Sequence, residues 1–291
     1  MRIPPGQALR EAVVEATIRV VGAPNALAAR LIERSGCEAV YLSGAVLSAG
    51  VLALPDVGLF TLSELAQHTA YLTRSVSLPV IVDADTGFGE AMNVERTVVE
   101  LEGAGAAAIQ LEDQELPKRC GHLSGKSLVS PETMCAKIRA AVAARNDASL
   151  VIIARTDARG VRGLDDALER ARMYLAAGAD WIFPEALESQ EEFARFAEEI
   201  DAPLIANLTE FGKSPPLTVD ELAELGYAAA LFPVTLFRVA MKAIEAAAAL
   251  IAVEGSQRDL LDVMQTREEL YELLDYQGFE ARDRAHFGMQ R

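Results

Sequence analysis

The chain has 291 residues, 51% of them hydrophobic and 24% charged, with a formal net charge of −16. Length and composition describe a globular chain able to bury one large core or two small ones. The negative charge disfavours non-specific binding to nucleic acid or anionic lipid, although a few local arginines can invert the potential inside a cleft.

Cys37, Cys120 and Cys135 are odd in number and unrelated in spacing. That argues against a disulfide framework or a structural zinc site and favours a reducing, cytoplasmic setting. No long apolar run of a secretory leader follows Met1–Gly6. The apolar stretch at 239–253 is broken by Lys242 and Glu245 and is too short to span a bilayer. The expected partner is therefore a small molecule, with no nucleic acid and no membrane.

Short β-rich runs alternate with longer amphipathic segments. Strands are expected at 17–21, 38–42, 79–82, 107–111, 150–154, 180–183, 203–206 and 228–232. Between them, 93–103 carries Val94, Val98 and Leu101 at helical spacing. Segment 131–144 opens with Ser130 as N-cap and Pro131 at the first helical position. Segment 164–177 places Leu164, Leu168, Ala171 and Leu175 on one face. Gly105 and Gly178 stand where a helix must turn into a strand. Near-continuous apolar strands joined by helices imply parallel pairing with both faces covered. Eight such units predict a closed (β/α)8 barrel, in preference to an open doubly wound sheet. Residues 1–291 are read as one domain, with a helical C-terminal extension from about 234 to 291.

Polar residues just past the strand ends carry the chemistry. Strand two ends in Tyr41 and Ser43-Gly44, strand three in Asp83-Ala84-Asp85, and strand four in Glu112-Asp113. Strand five ends in Arg155-Thr156-Asp157, strand six in Glu185, and strand seven in Asn207-Leu208-Thr209. In a barrel these converge at the C-terminal mouth, where active sites lie. The chain therefore reads as an enzyme. Asp83 and Asp85, at i and i+2, are expected on one face of a strand. With Glu112 and Asp56 nearby they form an acidic cluster suited to Mg²⁺, or Mn²⁺, with water completing a sparse shell. Arg155, and further on Arg238 and Arg267, oppose it. Cation and arginines together imply a di- or tricarboxylate substrate.

The run Lys118-Arg119-Cys120-Gly121-His122 sets a thiol among three potential cations, which should lower its pKa. It lies inside segment 114–130, expected to close as a lid. Cys120 is the candidate proton donor, and Tyr41 the candidate base or base-assisting group.

Asp83-Ala84-Asp85-Thr86-Gly87-Phe88-Gly89, Gln110-Leu111-Glu112-Asp113-Gln114, the Cys120 run and Ala154-Arg155-Thr156-Asp157 resemble the isocitrate lyase/phosphoenolpyruvate mutase superfamily, and in particular its methylisocitrate lyase branch. The resemblance extends from about Val20 to Tyr276. It implies a Mg²⁺-assisted carbon–carbon lyase cleaving 2-methylisocitrate to pyruvate and succinate in propionate breakdown. Alternatives are a lyase for isocitrate or 2,3-dimethylmalate, or a mutase-type or oxaloacetate-decarboxylating activity. At matching positions it implies that Ser43, Gly44 and Ala45 hold a substrate carboxylate. Asp83 and Asp85 serve the metal, with Glu112 and Asp56 acting through water, and Cys120 is the acid. Gly121, His122, Arg155, Glu185, Asn207, Thr209, Arg238 and Arg267 bind substrate. It also implies a barrel whose last helix is swapped between subunits of a homotetramer. Ala45 replaces the family's usual second glycine, and Leu123-Ser124-Gly125-Lys126 replaces a common Arg-Pro-Asn-Lys. The group at C2 of the substrate, methyl or hydrogen, stays open on these grounds.

Overall fold

The computed structural model describes residues 3–288. All eight expected strands are present: β1 Ile18–Gly22, β2 Ala39–Leu42, β3 Val80–Asp83, β4 Ala108–Glu112, β5 Val151–Thr156, β6 Trp181–Pro184, β7 Ile205–Asn207 and β8 Ala229–Phe232. Each pairs in parallel with its neighbour, in the order β6-β5-β4-β3-β2-β1-β8-β7. A further parallel bridge, Ile182 to Leu204, joins the two ends of that order and closes the circle. The fold is a (β/α)8 barrel, as the pattern predicts.

Alternation along each strand sorts side chains between two cores. Ile18, Val20, Ala39, Tyr41, Ile81, Ile153, Phe183 and Leu231 fill the barrel interior. Their immediate neighbours, such as Val40, Val80, Val82, Ile109, Ile152 and Ile182, face the surrounding helices. Both faces are dry, which is why the strands read as unbroken apolar runs. Burial of each Val, Leu or Ile contributes roughly 1.5–3 kcal/mol.

The N-terminal end of the barrel is sealed by the helix Pro5–Glu15, which inserts Leu9 into the interior cluster. Arg10 clasps the barrel floor through the Ser149 carbonyl at 2.9 Å and Asp180 at 2.8 Å. The helix Pro131–Ala144 starts as its cap predicts, with Ser130 Oγ accepting from the Thr133 N–H at 3.2 Å. The helix Ala91–Gly103 starts two residues earlier than periodicity indicates, because Glu90 and Asn93 form a reciprocal cap.

The chain divides after Phe237 into two compact units. The second carries most of the helix Thr235–Glu254, then a 3₁₀ turn Arg258–Val263 and the helices Arg267–Leu273 and Tyr276–His286. Within it, the rings of Tyr271 and Tyr276 stack at 4.7 Å.

Candidate active site

Inward parity continues past the last apolar layer. Two residues on from Ile81 comes Asp83, and two and four on from Ala108 come Gln110 and Glu112. Arg155 follows Ile153, Glu185 follows Phe183, and Asn207 follows Ile205. All six polar side chains are buried at the mouth. Residues of the opposite parity do something else. Asp113 accepts from Thr156 Oγ1 at 2.8 Å, Tyr174 OH at 2.7 Å and Arg170 at 3.2 Å, behind the sheet. That network ties β4 and β5 to the helix Leu164–Ala176 and leaves the chemistry to Glu112 and Arg155.

On the β3–β4 side, ligand atoms of Asp83, Asp85 and Glu112 lie within 4.8 Å of one another. Asp85 corrects the strand expectation. β3 ends at Asp83, and Asp85 sits in a turn at φ 47°, closed by the Gly87 N–H on the Ala84 carbonyl at 2.9 Å. Asp tolerates this left-handed conformation better than most residues. The turn, not strand parity, brings its carboxylate beside Asp83.

Asp83 is held by Gln110 Nε2 at 3.0 Å and by the Gly44 N–H at 3.1 Å. Gly44 allows that approach, since a Cβ there would lie 3.1 Å from Asp85 Oδ1 and from the Phe60 ring. Burial pushes Asp85 up to about 7, Asp83 adds to the effect, and Lys118 opposes it. Burial also holds Glu112 well above the ordinary carboxylate range against the pull of Arg155 and Lys118.

Lys118 comes from the thiol loop into this cluster. Its ammonium pairs with Asp56 and lies 2.7 Å from Asp85 Oδ1. Apart from that ion pairing, Asp56 Oδ1, Asp85 Oδ1 and Glu112 Oε1 are buried without a hydrogen-bond partner. Hard, crowded oxygen atoms with unused lone pairs fit a divalent cation. The donor set contains no nitrogen or sulfur, so it suits Mg²⁺-like ions over Zn²⁺.

The β5–β7 side is paired throughout. Arg155 clasps Asp157 at 3.0 and 3.2 Å, meets Glu185 at 3.3 Å and Glu112 at 3.5 Å, and stacks over the Phe183 ring. Lys126 reaches Asp157 at 2.7 Å and also bonds the Gly121 carbonyl. Burial works to raise Asp157, but Arg155 and Lys126 outweigh it and hold its pKa low. Asn207 Nδ2 donates to Glu185 at 3.2 Å and Thr209 to Asn207 at 2.8 Å. His122 Nδ1 accepts from the Lys213 N–H at 3.0 Å, so the proton sits on Nε2, 3.1 Å from Glu185. Burial lowers the His122 pKa against the pull of Glu185, leaving the ring neutral near pH 7.

Cys120 is half-buried in the loop between β4 and the helix Pro131–Ala144. The expected ring of three cations around its sulfur is not what forms. Lys118 goes to the acidic cluster, Arg119 to the Ser124 carbonyl, and His122, neutral, to Glu185. Each finds a stronger partner than a thiol. The next residue, Gly121, touches both Glu185 and Arg155, and a Cβ would collide with them. The loop therefore presses directly on the arginine side of the mouth.

Tyr41 is fully buried and its hydroxyl donates to Gln110 Oε1 at 2.6 Å. Burial, reinforced by Asp83, raises its pKa well above the ordinary value. The phenol therefore keeps its proton and acts here as a hydrogen-bond donor. Ser43 caps the helix Gly44–Leu52, with half-buried Ala45 in its first turn. Arg238 and Arg267 are exposed residues of the helices Thr235–Glu254 and Arg267–Leu273. Sequence reasoning named Gln110, Gln114, Lys126 and Asp157 within motifs but gave none of them a role of its own. For Gln110 the signal was present, a polar residue at inward parity in mid-strand.

With that geometry in place, comparison with known proteins is informative. Residues 10–252 match the phosphoenolpyruvate phosphomutase family. The 2-methylisocitrate lyase of Aeropyrum pernix is 59% identical over 280 residues, 96% of this chain and 90% of that protein. The 2-methylisocitrate lyase of Halalkalibacterium halodurans is 50% identical, over 93% and 89%. A crystal structure of 2,3-dimethylmalate lyase superposes with a TM-score of 0.91 at 33% identity, over 97% of this chain and 96% of the other. The chain belongs to the phosphoenolpyruvate phosphomutase family, and within it to the group of the 2-methylisocitrate lyases.

Proposed function

We propose that the protein cleaves the C2–C3 bond of 2-methylisocitrate, releasing pyruvate and succinate. One observation carries the reading: a cluster of buried, underbonded carboxylates faces a fully paired arginine cradle across a single mouth. Such a mouth fits a polyanion whose two halves need different partners. A divalent ion, Mg²⁺ in this proposal, would be held by Asp83 and Asp85, with Glu112 and Asp56 reached through water. When bound it supplies Lewis acidity toward oxygens on C2.

The protein's own groups account for the rest. Ser43, Gly44 and Ala45, at a helix N-terminus, orient the carboxylate of the pyruvate half. Arg155, His122, Asn207 and Thr209, supported by Gly121 and Glu185, bind the succinate half and stabilise charge developing there. Arg238 and Arg267 belong to the same proposal as substrate ligands from the C-terminal helices. As the C2–C3 bond breaks, the hydroxyl on C2 passes its proton to solvent at the mouth and becomes the ketone. The bonding pair stays on the succinate carbon, and the Cys120 thiol protonates it. Proton balance is restored when the thiolate recovers a proton from solvent as products leave. Tyr41 assists through the Gln110–Asp83 chain and is not assigned as the base.

The quaternary part of the proposal is a homotetramer of helix-swapped dimers. In its support, no residue of the twenty-residue helix Thr235–Glu254 is buried, although it exposes Val239, Ile244, Ile251 and Val253. Analytical ultracentrifugation giving a monomer would remove that part. No helix among the described residues is long and apolar enough to cross a membrane, and a cytoplasmic location is proposed with the activity.

The deciding assay supplies racemic 2-methylisocitrate and Mg²⁺ and identifies products by mass spectrometry. Pyruvate with succinate is the expected pair. Preferential turnover of isocitrate to glyoxylate, or of 2,3-dimethylmalate to propionate, would reassign the substrate. Normal turnover by Cys120→Ser would defeat the proton-donor role.

A further inference from the structure

We infer that Gln114 is a positioning residue for the Cys120 thiol, acting through the peptide that precedes it; this rests on the proposed role of Cys120. The loop from 113 to 129 has a neck zipped like a short antiparallel ladder. Gln114 bridges to Leu128, the Glu115 N–H bonds the Ser127 carbonyl at 2.9 Å, and the Val129 N–H bonds the Asp113 carbonyl at 3.0 Å. Beyond that neck a turn carrying Lys118-Arg119-Cys120-Gly121-His122 has no regular structure to hold it.

Gln114 supplies the missing ladder from its side chain. Its Nε2 donates to the Arg119 carbonyl at 2.8 Å, and its Oε1 accepts from the Arg119 N–H at 2.9 Å. The side chain is buried, only 1% exposed. A primary amide offers a donor and an acceptor on one planar group, so it can pair with both backbone groups of a single residue as a strand would. The two following carbonyls are held as well: Cys120 by the Leu123 N–H at 2.9 Å, and Gly121 by the Lys126 ammonium. Three successive peptides are thereby fixed, with the thiol on the middle residue. Gly121, packed on Glu185 and Arg155, sets where that tripeptide meets the arginine side of the mouth.

Gln114 touches neither the acidic cluster nor Arg155 among these contacts. Its effect should therefore appear in the placement of the proton donor and not in substrate affinity. Misplacement of a reacting group by about 1 Å can slow a reaction about hundredfold.

The test compares wild type with Gln114→Leu, Gln114→Glu and Cys120→Ala in the Mg²⁺-loaded enzyme. Gln114→Glu keeps shape and acceptor but loses the donor, and it carries the test should the apolar variant fold poorly. Both Gln114 variants should lose about tenfold to hundredfold in kcat, with KM within about threefold. Iodoacetamide labelling, located on Cys120 by peptide mass spectrometry, should be slowed by pyruvate plus succinate in wild type. That protection should be lost in the Gln114 variants. A merely structural role would lower the folded fraction without changing the labelling pattern of what remains folded. Unchanged kcat, a change confined to KM, or intact protection would overturn the inference while Cys120→Ala stays inactive. An active Cys120→Ala would instead overturn the underlying reading of the thiol.

Discussion

The two sides of the mouth are built on opposite electrostatic plans. On the β5–β7 side, Asp157 and Glu185 are matched by Arg155 and Lys126, with His122 and Asn207 completing the hydrogen bonds. On the β3–β4 side, four carboxylates, Asp56, Asp83, Asp85 and Glu112, gather around one ammonium, Lys118, which pairs with Asp56 and Asp85, and three of their oxygens are left without a hydrogen bond. Buried charge is tolerated when paired and expensive when not. The first side is thus a finished cradle, rigid before any ligand arrives. The second has an excess of negative charge that a divalent cation would neutralise.

Breaking the finished side should have the largest effect. Arg155→Met leaves Asp157 and Glu185 buried without their main partner, so about 3–5 kcal/mol of stability should be lost. Turnover should fall at least about thousandfold if the guanidinium stabilises developing charge. Chemical denaturation and steady-state kinetics measure both, and a change below about 1 kcal/mol would contradict that pairing.

On the other side the next largest effect belongs to Asp85→Asn. Saturating Mg²⁺, at about 100 times its Kd, should stabilise the wild-type protein by about 2.7 kcal/mol, seen as a rise in Tm. The variant should lose most of that increment and about hundredfold in activity. An equal Mg²⁺-dependent rise in both proteins would place the ion elsewhere.

The pH dependence sharpens the same contrast. With Asp85 pushed up to about 7, the metal-free folded protein holds a proton that the unfolded chain has released above its ordinary carboxylate pKa. Metal-free stability should therefore decline as pH rises toward 7. Metal competes with that proton, so apparent Mg²⁺ affinity should weaken below about pH 7, by up to about tenfold per unit. Calorimetric titration at several pH values checks the slope, and Asp85→Asn should flatten it.

Smaller effects complete the series. Lys118→Met removes the ammonium that shares Asp85, and substrate-free Mg²⁺ affinity should rise several-fold, about 1 kcal/mol. A lower affinity would show that the lysine assists the ion. Tyr41→Phe removes one buried hydrogen bond and should cost about 1 kcal/mol of stability, with turnover reduced less than tenfold.

The strands were legible because alternation and apolar content act locally. A residue flanked by Val80 and Val82 must face the interior, and Asp83, two further on, must share its side. The helix Pro131–Ala144 was legible to the residue because Ser130 and Pro131 are start signals by their own chemistry. The closeness of Asp85 to Asp83 was legible for the wrong reason, since the left-handed turn that delivers it obeys no periodic pattern. The destinations of Lys118, Arg119 and His122 were not legible at all. Proximity in sequence suggested the thiol, whereas each side chain settled on a carboxylate or carbonyl that the fold brings to it.

By itself, then, the amino-acid order determined the barrel, the inward parity of its strands and the kinds of side chain that reach the mouth. It could do so because hydrophobic period and capping are short-range properties of the chain. Only the tertiary structure decided which charges meet: Lys118 with Asp85, and Lys126 with Asp157 across 31 residues. Pairing in a buried site depends on which segments converge and on how much water they exclude, and neither is written in any local stretch.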